Sequence, residues 1–301
     1  MLAVAGCGGS SPVAQPTPKP VPDTGLVLLS LRDGAQREAA TIGSDPVAVI
    51  VAVDGMTAFM ADSSPGDVYA VSLPDLGVKW KEHVGGAPFG LLLNAGTLFV
   101  SLFNSAAVVA LDPANGMKLA TYAVPTGPAV MALDGAGRVV VAGTRGTVAY
   151  LDGTTLPAGH GFGVAVVGGA VWTADYERAE LVRAGDDHVV GMPLPLFPFW
   201  LAPETDGKVL IAAEGGNEDT DPGGAFQFDP ASETFVTLAR PRDPDQILQS
   251  GATVFIASHG DRNVLALSGG RIDTWAPGVA AVALAPDAAL GLLVVAVNAH
   301  E

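Results

Sequence analysis

Two residues of this chain, Glu214 and His259, carry side chains that can accept and donate protons, and each closely follows a stretch typical of a β-strand. The stretches are residues 209–213 and 253–257, both rich in apolar residues. A carboxylate and an imidazole held near one another can act as a general acid and base. Glu214 and His259 are therefore the candidate catalytic residues, provided that the fold brings these two strand ends together.

Glu214 also begins an acidic segment, residues 214–224, with the sequence EGGNEDTDPGG. Ca²⁺ takes about six to eight oxygen ligands, which flexible acidic loops can supply. The segment therefore predicts a site for Ca²⁺ or Mg²⁺, although its spacing does not match an EF-hand loop and a solvated acidic turn remains the alternative. The candidate metal ligands are Glu214, Asn217, Asp219 and Asp221.

The elements that would position these residues recur along the chain with a period of roughly 40 residues. One copy, residues 98–116, reads LFVSLFNSAAVVALDPANG and contains two apolar strands, a polar turn at Asn104 and a second turn at residues 112–116. Asn, Asp, Pro and Gly favour such turns between antiparallel strands. The seven copies begin near Asp45, Ala87, Gly127, His160, Phe197, Asp245 and Gly278.

Each full copy continues with a third apolar strand and a less apolar fourth one, and four strands at this period are typical of the blades of a β-propeller. The last copy ends at Glu301 after two strands, and residues 25–31 and 37–42 read as the missing two. We therefore predict an all-β fold, a seven-bladed β-propeller of four-stranded antiparallel blades, whose last blade is closed by strands from both termini. Six or eight blades and an open solenoid are the alternatives.

In such a fold the connections between blades and the turns after each second strand share one rim around the central channel. Polar and ionisable residues gather in these segments, which predicts a ligand-binding rim, although turns are commonly polar without any function. Trp200, near the start of an inner strand, offers a stacking surface. The predicted rim residues are Asp62, Asn104, Arg145, Asp175, Trp200, Asp245 and His300.

The charge composition restricts the classes of partner that this chain is expected to bind. The formal net charge is −16 with only 15 Lys and Arg residues, whereas phosphate backbones are bound by clustered positive charge. Nucleic acid is therefore not an expected partner. The sequence also lacks the CxxC, HExxH and GxSxG motifs, so it does not predict dithiol redox, zincin or serine-hydrolase chemistry.

The N-terminal stretch Val4-Ala5-Gly6-Cys7 follows a short apolar run and resembles the lipobox of bacterial lipoproteins. The resemblance implies cleavage before Cys7 and lipidation of that residue, while a chance apolar terminus with a free thiol is the alternative. The basic segment that opens a signal peptide is missing, so we expect the natural start to lie further upstream.

Residues 8–22 are rich in Gly, Ser and Pro, which is typical of a tether that buries nothing. We therefore expect residues 1–23 to be a signal remnant and tether, and residues 24–301 to form a single propeller domain. The expected location is extracytoplasmic, with the lipid on Cys7 as the sole contact with the bacterial membrane.

The segment FVSLFNSAAVVALDPANGMKLATYAV, residues 99–124, resembles the repeat of YVTN-type β-propellers, which are related in form to NHL and streptogramin-lyase-like propellers. Phe99-Val100-Ser101 stands where that repeat has Tyr-Val-Thr, and Asp112-Pro113 takes the usual place after it. The resemblance is strong only in this copy, and the fourth copy lacks the Asp-Pro turn. It implies a propeller fold and, for lyase-like members, an enzyme that uses His, Glu and a divalent metal.

Two functions are compatible with these observations. We favour binding without catalysis, in which a monomeric, lipid-anchored extracytoplasmic propeller binds a protein partner or a small ligand on one rim. The alternative is a metal-dependent propeller enzyme, a lactonase or a streptogramin-lyase-like enzyme, that uses Glu214 and His259 with Ca²⁺ or Mg²⁺.

Overall fold

A computed structural model describes residues 19–186, 188–217 and 220–300, and within these ranges it contains 28 β-strands and no helix. The strands form seven four-stranded antiparallel sheets. The first strand of each sheet contacts the first strands of the two neighbouring sheets, so the sheets close into a ring. The fold is therefore the predicted seven-bladed β-propeller. The described chain has no helix long and apolar enough to cross a bilayer.

The strand bounds follow the predicted repeats closely. In chain order the strands are β1 (Thr24–Ser30), β2 (Gln36–Thr41), β3 (Pro46–Val51), β4 (Thr57–Asp62), β5 (Asp67–Ser72), β6 (Val78–His83), β7 (Pro88–Asn94), β8 (Thr97–Leu102), β9 (Ala107–Leu111), β10 (Lys118–Ala123), β11 (Pro128–Leu133), β12 (Val139–Gly143), β13 (Thr147–Tyr150), β14 (Thr155–Pro157), β15 (Val164–Val167), β16 (Ala170–Asp175), β17 (Glu180–Arg183), β18 (His188–Gly191), β19 (Phe197–Pro203), β20 (Val209–Glu214), β21 (Gly224–Asp229), β22 (Thr234–Ala239), β23 (Pro244–Ser250), β24 (Thr253–Ser258), β25 (Asn263–Ser268), β26 (Arg271–Trp275), β27 (Ala281–Asp287) and β28 (Leu292–Asn298).

Blades 1 to 6 take four consecutive strands each, from β3–β6 in blade 1 to β23–β26 in blade 6. Blade 7 has the strand order β2-β1-β28-β27, so both ends of the chain contribute two strands to it, as predicted. β1 pairs with β28 along its whole length, from Thr24 opposite Asn298 to Ser30 opposite Leu292. This pairing closes the ring and removes the sheet edge that an open array would expose.

The apolar core lies between adjacent blades, because each blade packs both of its faces against its neighbours. The second strands β4, β20 and β28 are accordingly buried along their whole length. The outermost strands β6 and β10 are largely exposed. This packing accounts for a chain that is 49% hydrophobic and carries few charges.

A β-bulge near the start of the inner strand recurs in six of the seven blades of the described chain. In five of them a proline, which cannot donate to the strand ladder, stands directly before the bulge. A bulge leaves a residue out of the pairing and redirects its side chain. In blades 5 and 6 this residue is Phe199 and Asp245, and both side chains line the mouth of the channel.

Candidate ligand-binding site

The mouth of the channel holds a cavity of about 730 Å³ on the rim formed by blades 4 to 7. Aromatic side chains line it on the side of blades 4 and 5, and ionisable side chains line it on the side of blades 5 and 6. We call Phe162, Tyr176 and Phe199 the aromatic wall, and Glu214, Asp243 and Asp245 the acidic wall. The lining is completed by His259, Gly260, Arg262 and Ala299.

A repeated backbone contact positions His259 beside Asp243. The N–H of the first residue after the second strand donates to the carbonyl of the residue that precedes the first strand, and in blade 6 this hydrogen bond joins His259 to Asp243 over 2.9 Å. The equivalent bonds in blades 1 and 2 join Ser63 to Asp45 and Phe103 to Ala87. The propeller repeat therefore fixes these two backbones in the same way in blades 1, 2 and 6, and the side chains at these positions differ.

Asp243 adopts a left-handed backbone with φ of 43°, a conformation that Asp tolerates better than most residues. Its Oδ2 atom lies 3.0 Å from Nδ1 of His259, and both side chains are only 14% exposed. The other ring nitrogen, Nε2, donates to the backbone carbonyl of Asn298 over 2.9 Å. The imidazole is thus held between blade 6 and the closing blade 7.

These contacts limit the chemistry of His259. The Asn298 carbonyl can only accept, so Nε2 carries a hydrogen, and Nδ1 faces a carboxylate oxygen. That second contact is favourable only if a proton or a cation is shared by the two atoms. Three arrangements satisfy this condition: an imidazolium that donates twice, a neutral ring that accepts from a protonated Asp243, and a neutral ring that shares a metal ion with Asp243, since metal-bound histidines commonly donate their other N–H to a carbonyl.

Asp245 joins this pair. One ligand atom from each of Asp243, Asp245 and His259 lies within 4.8 Å of the other two, and among the described residues they form a group with the side-chain types that hold metals. This group differs from the predicted ligands. Asn217 and Asp221 are exposed, and Asp219, the fourth predicted ligand, lies outside the described residues.

Glu214 lies in the same cavity as His259, so the structure brings the two candidate catalytic residues to one site. Glu214 ends β20, is only 6% exposed and accepts a hydrogen bond of 2.6 Å from the hydroxyl of Tyr176. Tyr176 therefore links the aromatic wall to the acidic wall. The carboxylate that contacts the Nδ1 atom of His259 is that of Asp243.

The aromatic wall belongs to a larger cluster of half-buried rings from blades 2, 4 and 5. The ring centroids of Phe162 and Phe199 lie 4.9 Å apart, and Phe103 stacks on Phe162 at 5.9 Å. Phe89 contacts both Phe162 and Phe199, at 5.7 Å and 6.5 Å. The cluster thus spans the rim across blade 3, and none of its members was selected from the sequence as a site residue.

Two predicted rim residues, Asp62 and Asp175, hold turns together and do not line the cavity. Asp62 is 1% exposed and accepts hydrogen bonds from the backbone N–H groups of Ser44 and Asp45. Burial raises the pKa of Asp62 above its usual value, and these hydrogen bonds offset that effect only in part. Asp175 is buried as well and binds both the backbone N–H and the guanidinium of Arg178.

The other predicted rim residues occupy different surroundings. Asn104 and His300 are exposed. Arg145, also exposed, lines a neighbouring depression of about 550 Å³ that shares Phe162 and Tyr176 with the main cavity. Trp200 packs among apolar residues between blades, whereas its neighbour Phe199 lines the cavity. Cys7 lies outside the described residues.

The fold and site together define a seven-bladed β-propeller with a cavity at one channel mouth. No protein-family model matches the chain, and no curated protein sequence matches it. The YVTN/NHL-type repeat identified in the second copy fits this propeller class.

Solved structures share the fold at low sequence identity. Virginiamycin B lyase from Staphylococcus aureus aligns with a TM-score of 0.66 and 11% identity, over 91% of this chain and 99% of that one. BamB from Moraxella catarrhalis aligns with a TM-score of 0.54 and 18% identity, over 94% of each chain. The Cps50 (Swd1) β-propeller domain from Myceliophteria thermophila aligns with a TM-score of 0.61 and 9% identity, over 85% of this chain and 97% of that one. Identities this low show the fold alone.

Proposed function

We propose that this propeller binds a small ligand, without catalysis, in the cavity between the aromatic wall and the acidic wall. The observation that carries the proposal is the cavity itself. Its volume of about 730 Å³ falls within the range of roughly 300–1,000 Å³ typical of small-molecule sites, which likewise combine apolar walls with a few polar groups. The hydrogen bond from Tyr176 to Glu214 and the contact between His259 and Asp243 keep the polar groups in place.

A thermal-shift screen of a small-molecule library on the full chain tests this proposal. We expect ligands that raise the melting temperature of the wild type and lose at least about tenfold in affinity when Phe162 is replaced by Ala, since the ring forms part of the cavity wall. Asn104→Ala is the matched control, because Asn104 is exposed on the same rim outside the cavity. Hits that bind the Phe162→Ala and wild-type proteins equally would overturn the proposal.

We further propose that the propeller is extracytoplasmic and anchored by a lipid on Cys7. The lipobox-like residues 4–7 and the Pro-rich residues 8–22 support this proposal. In a bacterial host, with a signal sequence supplied upstream of residue 1, an alkyne-labelled fatty acid should mark the wild type and leave Cys7→Ser unmarked. An equally labelled Cys7→Ser protein, or an unlabelled wild type, would contradict the proposal.

A metal-dependent enzyme is the second candidate function, and the grouping of Asp243, Asp245 and His259 favours it. Carboxylate and imidazole ligands suit divalent cations, and a metal ion at this position would replace the proton between His259 and Asp243. Calorimetric titration of the chelator-treated protein with Mg²⁺, Ca²⁺ and Mn²⁺ tests this function. Stoichiometric binding that Asp243→Asn abolishes would support it, and the absence of binding would exclude it.

A further inference from the structure

The cavity of the proposed binding site has a negative lining. Its described residues carry three carboxylates, those of the acidic wall, against one imidazole and one guanidinium. The formal charge of the lining is therefore negative even when His259 is an imidazolium. The whole chain, with a net charge of −16, adds a field that attracts cations and repels anions at low salt.

The opposite side of the cavity is built from π-systems. The faces of Phe162, Tyr176 and Phe199 carry the negative end of the aromatic quadrupole, which attracts ammonium groups within about 6 Å of a ring centroid. The 4.9 Å contact between Phe162 and Phe199, and the contact of Tyr176 with Phe197 at 5.3 Å, hold the rings in a packed cluster. Little side-chain freedom is left to lose when a ligand binds.

From these two walls we propose that the ligand is an organic cation, an ammonium group carried on an apolar body. This inference rests on the proposed function, because it names the ligand class of the same cavity. An anion would face the carboxylates, and a neutral apolar molecule would remove water from them without compensation. A bare metal ion would leave most of a cavity of about 730 Å³ and its aromatic wall unused.

The ammonium group belongs where the two walls meet. Tyr176 and Glu214 are joined there by the 2.6 Å hydrogen bond, so a cation close to the carboxylate of Glu214 also lies near an aromatic ring. Phe199 and Asp245 come from the bulges of neighbouring inner strands and line the same space. The apolar body then covers the rings of Phe162 and Phe199.

Three probes with one aromatic body test the inference: phenethylammonium, 2-phenylethanol and phenylacetate. Calorimetry or ligand-observed NMR on the full chain measures their binding at low and at moderate salt. We expect the cation to bind at least about tenfold more tightly than the alcohol, a difference of about 1.4 kcal/mol. Phenylacetate should not bind, and added salt should weaken the binding of the cation.

Two variants separate the contributions of the walls. Phe199→Leu keeps an apolar side chain but removes a π-face, and Asp245→Asn removes a charge at nearly constant size. Each variant should weaken the binding of phenethylammonium at least about threefold and should change the binding of 2-phenylethanol less. Asn104→Ala should change neither. Circular dichroism and the melting temperature verify folding, and Tyr176→Phe, which removes only a hydroxyl, is the substitute for a variant that fails to fold.

The outcomes distinguish this inference from the proposed function. If the alcohol binds as tightly as the cation and the Phe162→Ala variant weakens both, the cavity binds ligands but the preference for cations is wrong. The inference is also wrong if Mg²⁺ or Ca²⁺ binds while no ammonium does. If the cation binds with the same affinity to the wild type and to every cavity variant, both the inference and the proposed function are wrong.

Discussion

Asp62, Asp175 and Glu214 occupy the same place in three blades, since each is the last residue of a second strand. Their side chains nevertheless do different things. Asp62 accepts backbone N–H groups, Asp175 binds Arg178, and Glu214 accepts the hydroxyl of Tyr176 inside the cavity. The position in the repeat therefore fixes the backbone location of a side chain. The neighbouring residues determine whether that side chain stabilises a turn or lines the cavity.

Asp62 leads to a prediction about pH. Because burial raises the pKa of Asp62 in the folded protein, its protonated form favours folding. The stabilisation is complete below the usual Asp pKa of about 4 and is lost as the pH rises through the raised value. As the pH rises across that window, the wild type should therefore lose stability relative to Asp62→Asn: the free energy of unfolding of the wild type minus that of the variant should decrease.

Urea denaturation at closely spaced pH values measures this difference. Asn104→Ala is a suitable control, because that exposed side chain should leave the pH profile parallel to the wild type. A wild type and an Asp62→Asn variant whose profiles run parallel from pH 3 to pH 8 would show that the folded-state pKa of Asp62 is not raised.

At the scale of the strands, the sequence alone was sufficient to predict the number of blades and the shared last blade. Most strands are bounded by Gly, Pro, Asn or Asp, and residues 25–31 complete the pattern that residues 292–297 leave open. It was not sufficient for the direction of every side chain. Neighbouring residues of a strand point to opposite faces, so one bulged residue reverses the order that follows. The bulge in β19 places Phe199, not Trp200, in the cavity.

The rest of the candidate site depends on contacts between distant segments. Sequence reasoning named Glu214, Asp245 and His259, because each lies at a strand end on the predicted rim. It did not select Asp243 or the aromatic residues as site residues. The sequence does contain a signal for residues that line the channel mouth, namely a proline at the start of an inner strand. The residues that directly follow such a proline include Phe89, Phe199 and Asp245. The contact of Phe89 with Phe162 across blade 3 has no local signal in the sequence.

The packing of blades leads to a second prediction. Gly34, in the turn between the outer strands of blade 7, has a positive φ of 70°, and a Cβ atom there would lie 2.4 Å from the ring of Trp275 in blade 6. Gly96 has a similar φ of 77° but no neighbour within 4 Å. Gly34→Ala should therefore lower the free energy of unfolding by roughly 1–3 kcal/mol more than Gly96→Ala does.

Both substitutions impose the same backbone strain, so their difference isolates the contact with Trp275. Urea denaturation at neutral pH and tryptophan fluorescence measure it together. Equal losses of stability in the two variants would mean that the turn of blade 7 does not pack on Trp275.

At the scale of the whole molecule, the site depends on closure of the ring. His259 donates to the carbonyl of Asn298 in blade 7, and the amide of Asn298 donates to Asp45 at the edge of blade 1 over 2.9 Å. This chain of contacts crosses the blade that both termini share. The imidazole of His259, and through it the side chain of Asp243, is therefore held by a blade that is complete only when β1 pairs with β28.

Hydrogen exchange of the β1 amides, followed by mass spectrometry on the native protein, measures this closure most directly. β1 is buried throughout and pairs along its full length with β28, so its amides should exchange as slowly as those of β28 and β4, through global unfolding. Exchange of the β1 amides at the rate of an open chain, while β28 and β4 stay protected, would contradict the closed ring and the site that it supports.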